Sequence, residues 1–216
     1  MAAEWTQRFL NLAVRYNALR FGDFTLKSGR QSPYFFNAGA FCDGASLEQL
    51  AGCYADAIVA SGLCFDLVFG PAYKGIPLAA LVAGALQRDH GINAGFAYNR
   101  KEAKAHGEGG SLVGAALEGR VLIIDDVISA GTAVTESIER IQAAGASPVG
   151  LAIALDRQER GADERSAAQA LRDSGIEVVS VASLDDLVGW MRHSREQPDL
   201  LARMTEYRDR YGAKAV

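Results

Sequence analysis

Four short aliphatic runs, FDLVFG (65–70), RVLIID (120–125), VGLAIAL (149–155) and IEVVSVA (176–182), recur along the chain with longer amphipathic stretches between them. They are rich in Val, Ile and Leu and keep no strict apolar/polar alternation, which is the pattern of strands covered on both faces. The intervening stretches read as helices. SLEQLAGCYADAIVASG (46–62) opens with Ser46 and has Gln49 three residues on, a capping-box spacing, and reaches Gly62 as a stop. PLAALVAGALQRDHG (77–91) begins on a proline suited to a first turn and ends at Gly91, and AVTESIERIQAAG (133–145) ends at Gly145. Strands alternating with helices predict an α/β fold, a doubly wound and mostly parallel central sheet flanked by helices. Ahead of the first unit, residues 4–20 read as a helix and FTLKSGRQSPYFF (24–36) as two short strands around a Ser-Gly-Arg turn. Residues 1–40 are therefore expected to form a small hood on a single domain spanning 1–216.

Composition narrows the classes of ligand. A net charge of −4 gives no overall electrostatic footprint for nucleic acid or an anionic membrane, so any anion must be met by a local cluster. Cys42, Cys53 and Cys64 are odd in number and show no zinc-ligand spacing, which fits core thiols in a reducing compartment. The first twenty residues carry Glu4, Arg8, Arg15 and Arg20 within their apolar pattern, which suits neither a signal peptide nor a membrane span. A cytoplasmic protein is expected.

One stretch asks for a ligand. VLIIDDVISAGTA (121–133) ends a buried strand in two adjacent carboxylates and then turns small and polar. In doubly wound sheets ligands sit beyond the carboxyl ends of the strands. Asp125 and Asp126 fall at that edge, followed by Val127, Ile128, Ser129, Ala130, Gly131, Thr132 and Ala133, whose small side chains let backbone N–H groups approach an anion at a helix start. Carboxylates would repel a phosphate, so they are expected to accept hydrogen bonds from neutral hydroxyls or to face a cation. A ribose diol on a phosphorylated sugar satisfies both halves. A nucleotide hydrolase with an acidic strand is disfavoured, because no GxxxxGK[ST] loop occurs in the chain.

VLIIDDVISAGTA resembles the ribose-5-phosphate fingerprint of the type I phosphoribosyltransferases, which use 5-phosphoribosyl 1-diphosphate. FTLKSGRQSPYFFNAG, FGPAYKGIPLA, NRKEAKAHGEGG and LDRQERG each resemble, in order, segments of the orotate phosphoribosyltransferase family of the bacterial and fungal kind. The resemblance spans essentially the whole chain. It implies phosphoribosyl transfer to orotate in pyrimidine biosynthesis, in a homodimer whose 100–110 loop is shared across subunits.

Each cluster carries its own chemistry. YNRKEAKAHGEGG (98–110) places Arg100, Lys101, Lys104 and His106 beside three glycines, and is expected to form a basic, mobile loop suited to a diphosphate leaving group. The resemblance implies that these four side chains bind the sugar diphosphate and that Lys104, with Arg100, His106, Asp125 and Asp126, is catalytic, Lys104 foremost. Tyr73 and Lys74 sit between Gly70 and Gly75 in a strand-end turn where backbone can approach an anion, and the resemblance adds Lys27 from the hood as a further contact to the sugar diphosphate. Orotate, a flat anion, needs an apolar slot and a fork-shaped donor. Phe35 and Phe36 can give the slot and Arg157 the fork, and the resemblance assigns these positions to orotate together with residue 129. Here Ser129 stands where the most familiar form has threonine, keeping the hydroxyl without the methyl group. Strand alternation predicts that at least one of Phe35 and Phe36 is core. His90 should close a helix, His193 should lie on the surface, and Trp5 and Trp190 should pack. No metal cluster is visible in the sequence, so Mg²⁺ is expected to arrive with the diphosphate. No nucleic acid or membrane partner is expected. A phosphoribosyltransferase for another base and a non-catalytic sensor on the same fold remain alternatives.

Overall fold

A computed structural model describes residues 2–26, 28–100, 112–128, 132–161, 164–194 and 198–213, without the side chains of Thr132 and Ser194. The four aliphatic runs become β3 (Leu67–Gly70), β6 (Arg120–Asp125), β7 (Ser147–Asp156) and β8 (Glu177–Ser183). With β4 (Gly95–Asn99) and β5 (Leu112–Gly114) they form one sheet of order β5-β4-β3-β6-β7-β8. All neighbours are parallel except β5, which runs antiparallel to β4 with Asn99 opposite Leu112.

Successive residues of β6 face opposite layers, and all four of its aliphatic side chains are inaccessible to solvent. Leu122 and Ile124 join a cluster with α1 (Glu4–Arg15), α2 (Gly44–Ala60), α3 (Gly75–His90), α6 (Leu184–Ser194) and α7 (Pro198–Tyr211). Val121 and Ile123 join a smaller cluster with α4 (Thr132–Ala143) and α5 (Ala167–Asp173). Burying each such side chain contributes about 2 kcal/mol, which is why an uninterrupted run, rather than an alternating one, makes a central strand. The hood is an antiparallel hairpin of β1 (Leu19–Thr25) and β2 (Gln31–Phe36), separate from the main sheet.

Several helix boundaries differ from the sequence reading. Asp43, not Ser46, caps α2: its Oδ1 accepts from Ser46 N at 2.7 Å, and Ser46 Oγ accepts from Asp43 N at 3.3 Å. Two residues of capping type lie three apart, and the earlier one starts the helix, leaving Ser46 in the reciprocal position. The first helix stops at Arg15, because β1 claims the chain from Leu19. The third begins at Gly75, ahead of Pro77, and ends where Gly91 adopts the left-handed conformation at φ +69°. Only Cys53 is a core thiol; Cys42 and Cys64 are exposed, since each sits in a connection beside an apolar element rather than within one.

The sheet order places the site. The chain leaves β3 toward β4 on one side, and leaves β6 toward β7 on the other, so the connections after these two adjacent parallel strands diverge. That divergence opens a crevice at their carboxyl ends, the switch point at which such sheets hold ligands.

Candidate active site

The turn after β3 is held tightly against β6. A Cβ on Gly75 would lie 2.4 Å from Pro71 Cδ and 2.8 Å from the Ile124 carbonyl oxygen, so only glycine lets the two strand ends meet this closely. The Ala72–Tyr73 peptide is cis, and Ala72 N donates to Asn99 Oδ1 at 3.1 Å. From this turn Lys74 reaches across the switch point, its Nζ 2.7 Å from Asp126 Oδ2.

The acidic pair is fixed by its own backbone. Asp125 Oδ1 accepts from Asp126 N at 2.9 Å, and Asp126 Oδ1 accepts from Val127 N at 3.0 Å. Behind them, the buried Tyr54 hydroxyl of α2 donates to the Asp125 carbonyl oxygen at 2.8 Å, and Ala154 N donates to that of Asp126. Burial pushes the Asp125 carboxyl up to about 6, reinforced by the adjacent Asp126 charge and opposed by the backbone N–H of Asp126 and by Lys74. One carboxylate is thus paired with a lysine, and its neighbour is poised near neutrality.

A cavity of about 870 Å³ unites this pair with the hood. Phe35 and Phe36, Tyr73 and Lys74, Asp125 through Ile128, and Arg157 all line it, together with Thr25, Leu26, Ser28 and Glu159. Phe36 is anchored edge-on against Phe9 of α1 at 5.9 Å, in keeping with a partly core residue, while Phe35 lies 5.5 Å from Phe24 within the hairpin. Ala133, in the first turn of α4, and Arg100, just past β4, are not among the lining residues. Lys27, Lys101, Lys104, His106, Ser129, Ala130 and Gly131 lie outside the described residues, as does the side chain of Thr132.

Arg157 differs from the open fork expected of it. Its Nε donates to Glu159 Oε1 at 2.7 Å, with Nη2 2.6 Å from the same oxygen, so the Nε/Nη2 edge is already occupied. The guanidinium carbon stands 4.4 Å from the centre of the Tyr34 ring, and Nη2 approaches Ser32 Oγ and the Tyr207 hydroxyl at 3.4 and 3.3 Å. Tyr34 is buried, and its hydroxyl has no hydrogen-bond partner among the described residues. Sequence alone does not single out Glu159, Tyr207 or Tyr54. Glu159 lies two residues from Arg157, inside LDRQERG, whereas nothing in the C-terminal sequence points from Tyr207 to residue 157.

His90, His193, Trp5 and Trp190 are not among the residues lining the cavity. His90 ends α3 and meets Asp56 at 2.9 Å, His193 is exposed, and Trp190 Nε1 donates to Asn11. Among the described residues, no group of three or more His, Cys, Asp or Glu is placed to hold a metal, and no helix is long and apolar enough to cross a membrane.

A crevice at a switch point, with a carboxylate pair ending β6 and a hood lining the same cavity, is the layout of a type I phosphoribosyltransferase. The family model described as phosphoribosyl transferase domain matches residues 43–186. The protein is 56% identical over 209 residues to the orotate phosphoribosyltransferase of Thioalkalivibrio sulfidiphilus, covering 96% of this chain and 98% of the relative. It is also 56% identical over 213 residues to that of Laribacter hongkongensis, covering 98% and 100%. The crystal structure of orotate phosphoribosyltransferase from Francisella tularensis superposes with a TM-score of 0.85 at 39% identity, covering 94% of this chain and 95% of that one. The chain belongs to the orotate phosphoribosyltransferase family.

Proposed function

We propose that the protein transfers the phosphoribosyl group of 5-phosphoribosyl 1-diphosphate to a ring nitrogen of orotate, giving orotidine 5′-phosphate and diphosphate for pyrimidine nucleotide biosynthesis. The observation that carries this reading is that one cavity holds both the Asp125–Asp126 pair with Lys74 and the Phe35, Phe36 and Arg157 set. The first set suits a phosphorylated sugar, and the second a flat anionic base.

In this reading the C1–O bond to diphosphate breaks as the deprotonated ring nitrogen forms a bond to C1, with inversion. Positive charge develops on the sugar ring, so the protein's work is positioning and electrostatics rather than covalent chemistry. Asp125 and Asp126 accept hydrogen bonds from the two ribose hydroxyls and favour that charge, which for Asp125 requires its ionised form. Backbone N–H groups from Ile128 to Ala133 cradle the 5′-phosphate at the start of α4. Lys74, with Lys27, Arg100, Lys101, Lys104 and His106, offsets the charge of the leaving diphosphate, Lys104 being the catalytic residue of the loop. Phe35 and Phe36 flank the base, residue 129 contributes its hydroxyl, and Arg157 meets the carboxylate.

Mg²⁺ carried by the diphosphate belongs to the same reading. Asp125 and Asp126 offer hard oxygen donors but only two, so an ion here would be held mainly by phosphate, sugar and water oxygens, and when bound it would neutralise leaving-group charge. We also place the protein as a cytoplasmic homodimer whose basic loop serves the neighbouring site. The three unpaired cysteines support a reducing setting. Mixing two inactive variants, Lys104→Ala and Asp126→Asn, tests the dimer: activity regained on mixing supports a shared site, and none refutes it.

The deciding assay follows orotate absorbance in the near ultraviolet with the sugar diphosphate and Mg²⁺, with adenine, hypoxanthine and uracil in parallel. Consumption of orotate alone, reversed by added diphosphate, supports the proposal. No turnover of orotate, or equal turnover of another base, overturns it.

A further inference from the structure

Arg157 is held by a knot that reaches the far end of the chain. Tyr207 of α7 donates its hydroxyl to Glu159 Oε1 at 2.6 Å, the same oxygen that accepts from Arg157 Nε. The other Glu159 oxygen accepts from Arg30 Nη1 at 3.2 Å. Tyr34 of β2 lies under the guanidinium and meets the Tyr207 ring edge-on at 5.9 Å. Arg157 and Glu159 are both largely withdrawn from solvent, their side chains 17% and 16% exposed.

The pattern of bonds selects one edge of the guanidinium. Nε is used, and Nη2 is turned toward Glu159, Ser32 and Tyr207, whereas Nη1 donates to nothing among the described residues. Arginine ordinarily loses much rotamer freedom when it grips a ligand, and an arginine already locked in the free protein avoids that cost on binding. Charge fits as well: Arg30, Arg157 and Glu159 sum to one positive charge, the complement of one carboxylate.

We propose that Glu159 and Tyr207 are positioning residues for the base, holding Arg157 so that its Nη1 side, and not its Nε side, is presented to the substrate carboxylate. The inference rests on the reading that Arg157 meets orotate. It makes α7 part of base selection although that helix contributes no side chain to the lining of the main cavity.

Two variants test it by steady-state kinetics. Tyr207→Phe keeps the ring packing and removes one hydroxyl; Glu159→Gln keeps the shape and removes the charge. The expected result is a rise in KM for orotate of roughly tenfold for Glu159→Gln and about threefold for Tyr207→Phe. KM for the sugar diphosphate, competitive inhibition by uracil, which lacks the carboxylate, and the thermal midpoint of Tyr207→Phe should stay near wild type. Were charge alone important, Glu159→Gln would add net positive charge beside the substrate and lower KM for orotate. An unchanged or lowered KM therefore overturns the proposal, as does a parallel loss of uracil inhibition.

Arg157→Lys separates this proposal from the reading beneath it. If Arg157→Lys raises KM for orotate while the other two variants do not, Arg157 meets the carboxylate without their help and the positioning role fails alone. If Arg157→Lys leaves KM unchanged, the reading of Arg157 fails and takes the proposal with it. In the Arg157→Lys background Glu159→Gln should add less than about twofold, as coupled residues do; a full additional effect would mean that Glu159 acts by another route and overturns the proposal.

Discussion

The two ends of the cavity are built on opposite plans. At the acidic end, Lys74 and Asp126 form an ion pair whose lysine side chain is 64% exposed, and Asp125 and Asp126 are held by the backbone of their own strand end. At the basic end, Arg157 is bound to Glu159 out of solvent and stacked on Tyr34, with partners 125 and 50 residues away in sequence. The exposed lysine of the first pair can leave its buried carboxylate for another partner, whereas both members of the second are fixed by everything packed around them. A site that receives several phosphate charges and then releases them gains from the first arrangement. Discriminating one flat base from others gains from the second.

That contrast yields an ordered set of tests. The largest effect is expected from the leaving-group side: Lys104→Ala should lower kcat by orders of magnitude with little change in orotate affinity, measured by steady-state kinetics and equilibrium binding. Wild-type turnover in that variant would remove Lys104 from the mechanism. At the fixed end, Arg157→Ala should weaken orotate recognition by about 3 kcal/mol, roughly a hundredfold in kcat/KM for orotate, because a charge-assisted bond is lost from a preorganised donor. Affinity for the sugar diphosphate, read by calorimetry, should move far less; equal losses for both substrates would dissolve the distinction between the two ends.

Titration provides a smaller effect with a defined sign. The folded protein holds the Asp125 proton up to about 6, whereas an unfolded aspartate releases it near 3.8, so the native state binds that proton more tightly between these values. This group's contribution to the stability of the free protein is therefore fully present below 3.8 and is lost as pH rises through 6. Denaturant unfolding of Asp125→Asn compared with the unsubstituted protein should isolate that slope; identical pH profiles would contradict it. Affinity for the sugar diphosphate should fall below pH 6, since the ionised carboxylate is the better acceptor for ribose hydroxyls. Orotate affinity should hold over the same range, because the Arg157 guanidinium stays charged throughout it. The smallest effect is at this half-exposed pair: Asp126 is buried but keeps the Val127 N–H when the lysine is lost, so Lys74→Met should change the stability of the free protein by about 1 kcal/mol. A loss of several kcal/mol would show the pair to be structural rather than exchangeable.

The same contrast explains what the sequence made legible. β6, the acidic pair and the turn before α3 are contiguous segments whose residue types declare their roles, and the α/β alternation fixed their place at a sheet edge. The hood hairpin was readable too, from Ser-Gly-Arg between two apolar runs. Local sequence puts the cap of α2 three residues late, because Asp43 and Ser46 are both competent caps and nothing local ranks them. The exposure of Cys42 and Cys64 could not be read from neighbours that are themselves apolar. The Arg157 knot was invisible for a stronger reason: Ser32, Tyr34, Glu159 and Tyr207 meet only after β2, the β7 connection and α7 have packed together, and no periodicity encodes that meeting. The fork of Arg157 was legible as chemistry, but which edge of it stays available depends on a partner that only the fold supplies.

The pairing of β4 with β5 has an architectural consequence. Because Asn99 sits opposite Leu112, the two ends of the stretch bearing Arg100, Lys101, Lys104 and His106 are held at one rung of a ladder. Its ends are anchored a strand spacing apart, whatever lies between, and lengthening such a connection adds only about 0.6 kcal/mol per doubling. The segment is in effect a cartridge: changes in its length fall on the cartridge itself and leave the register of the strands that carry the rest of the site in place.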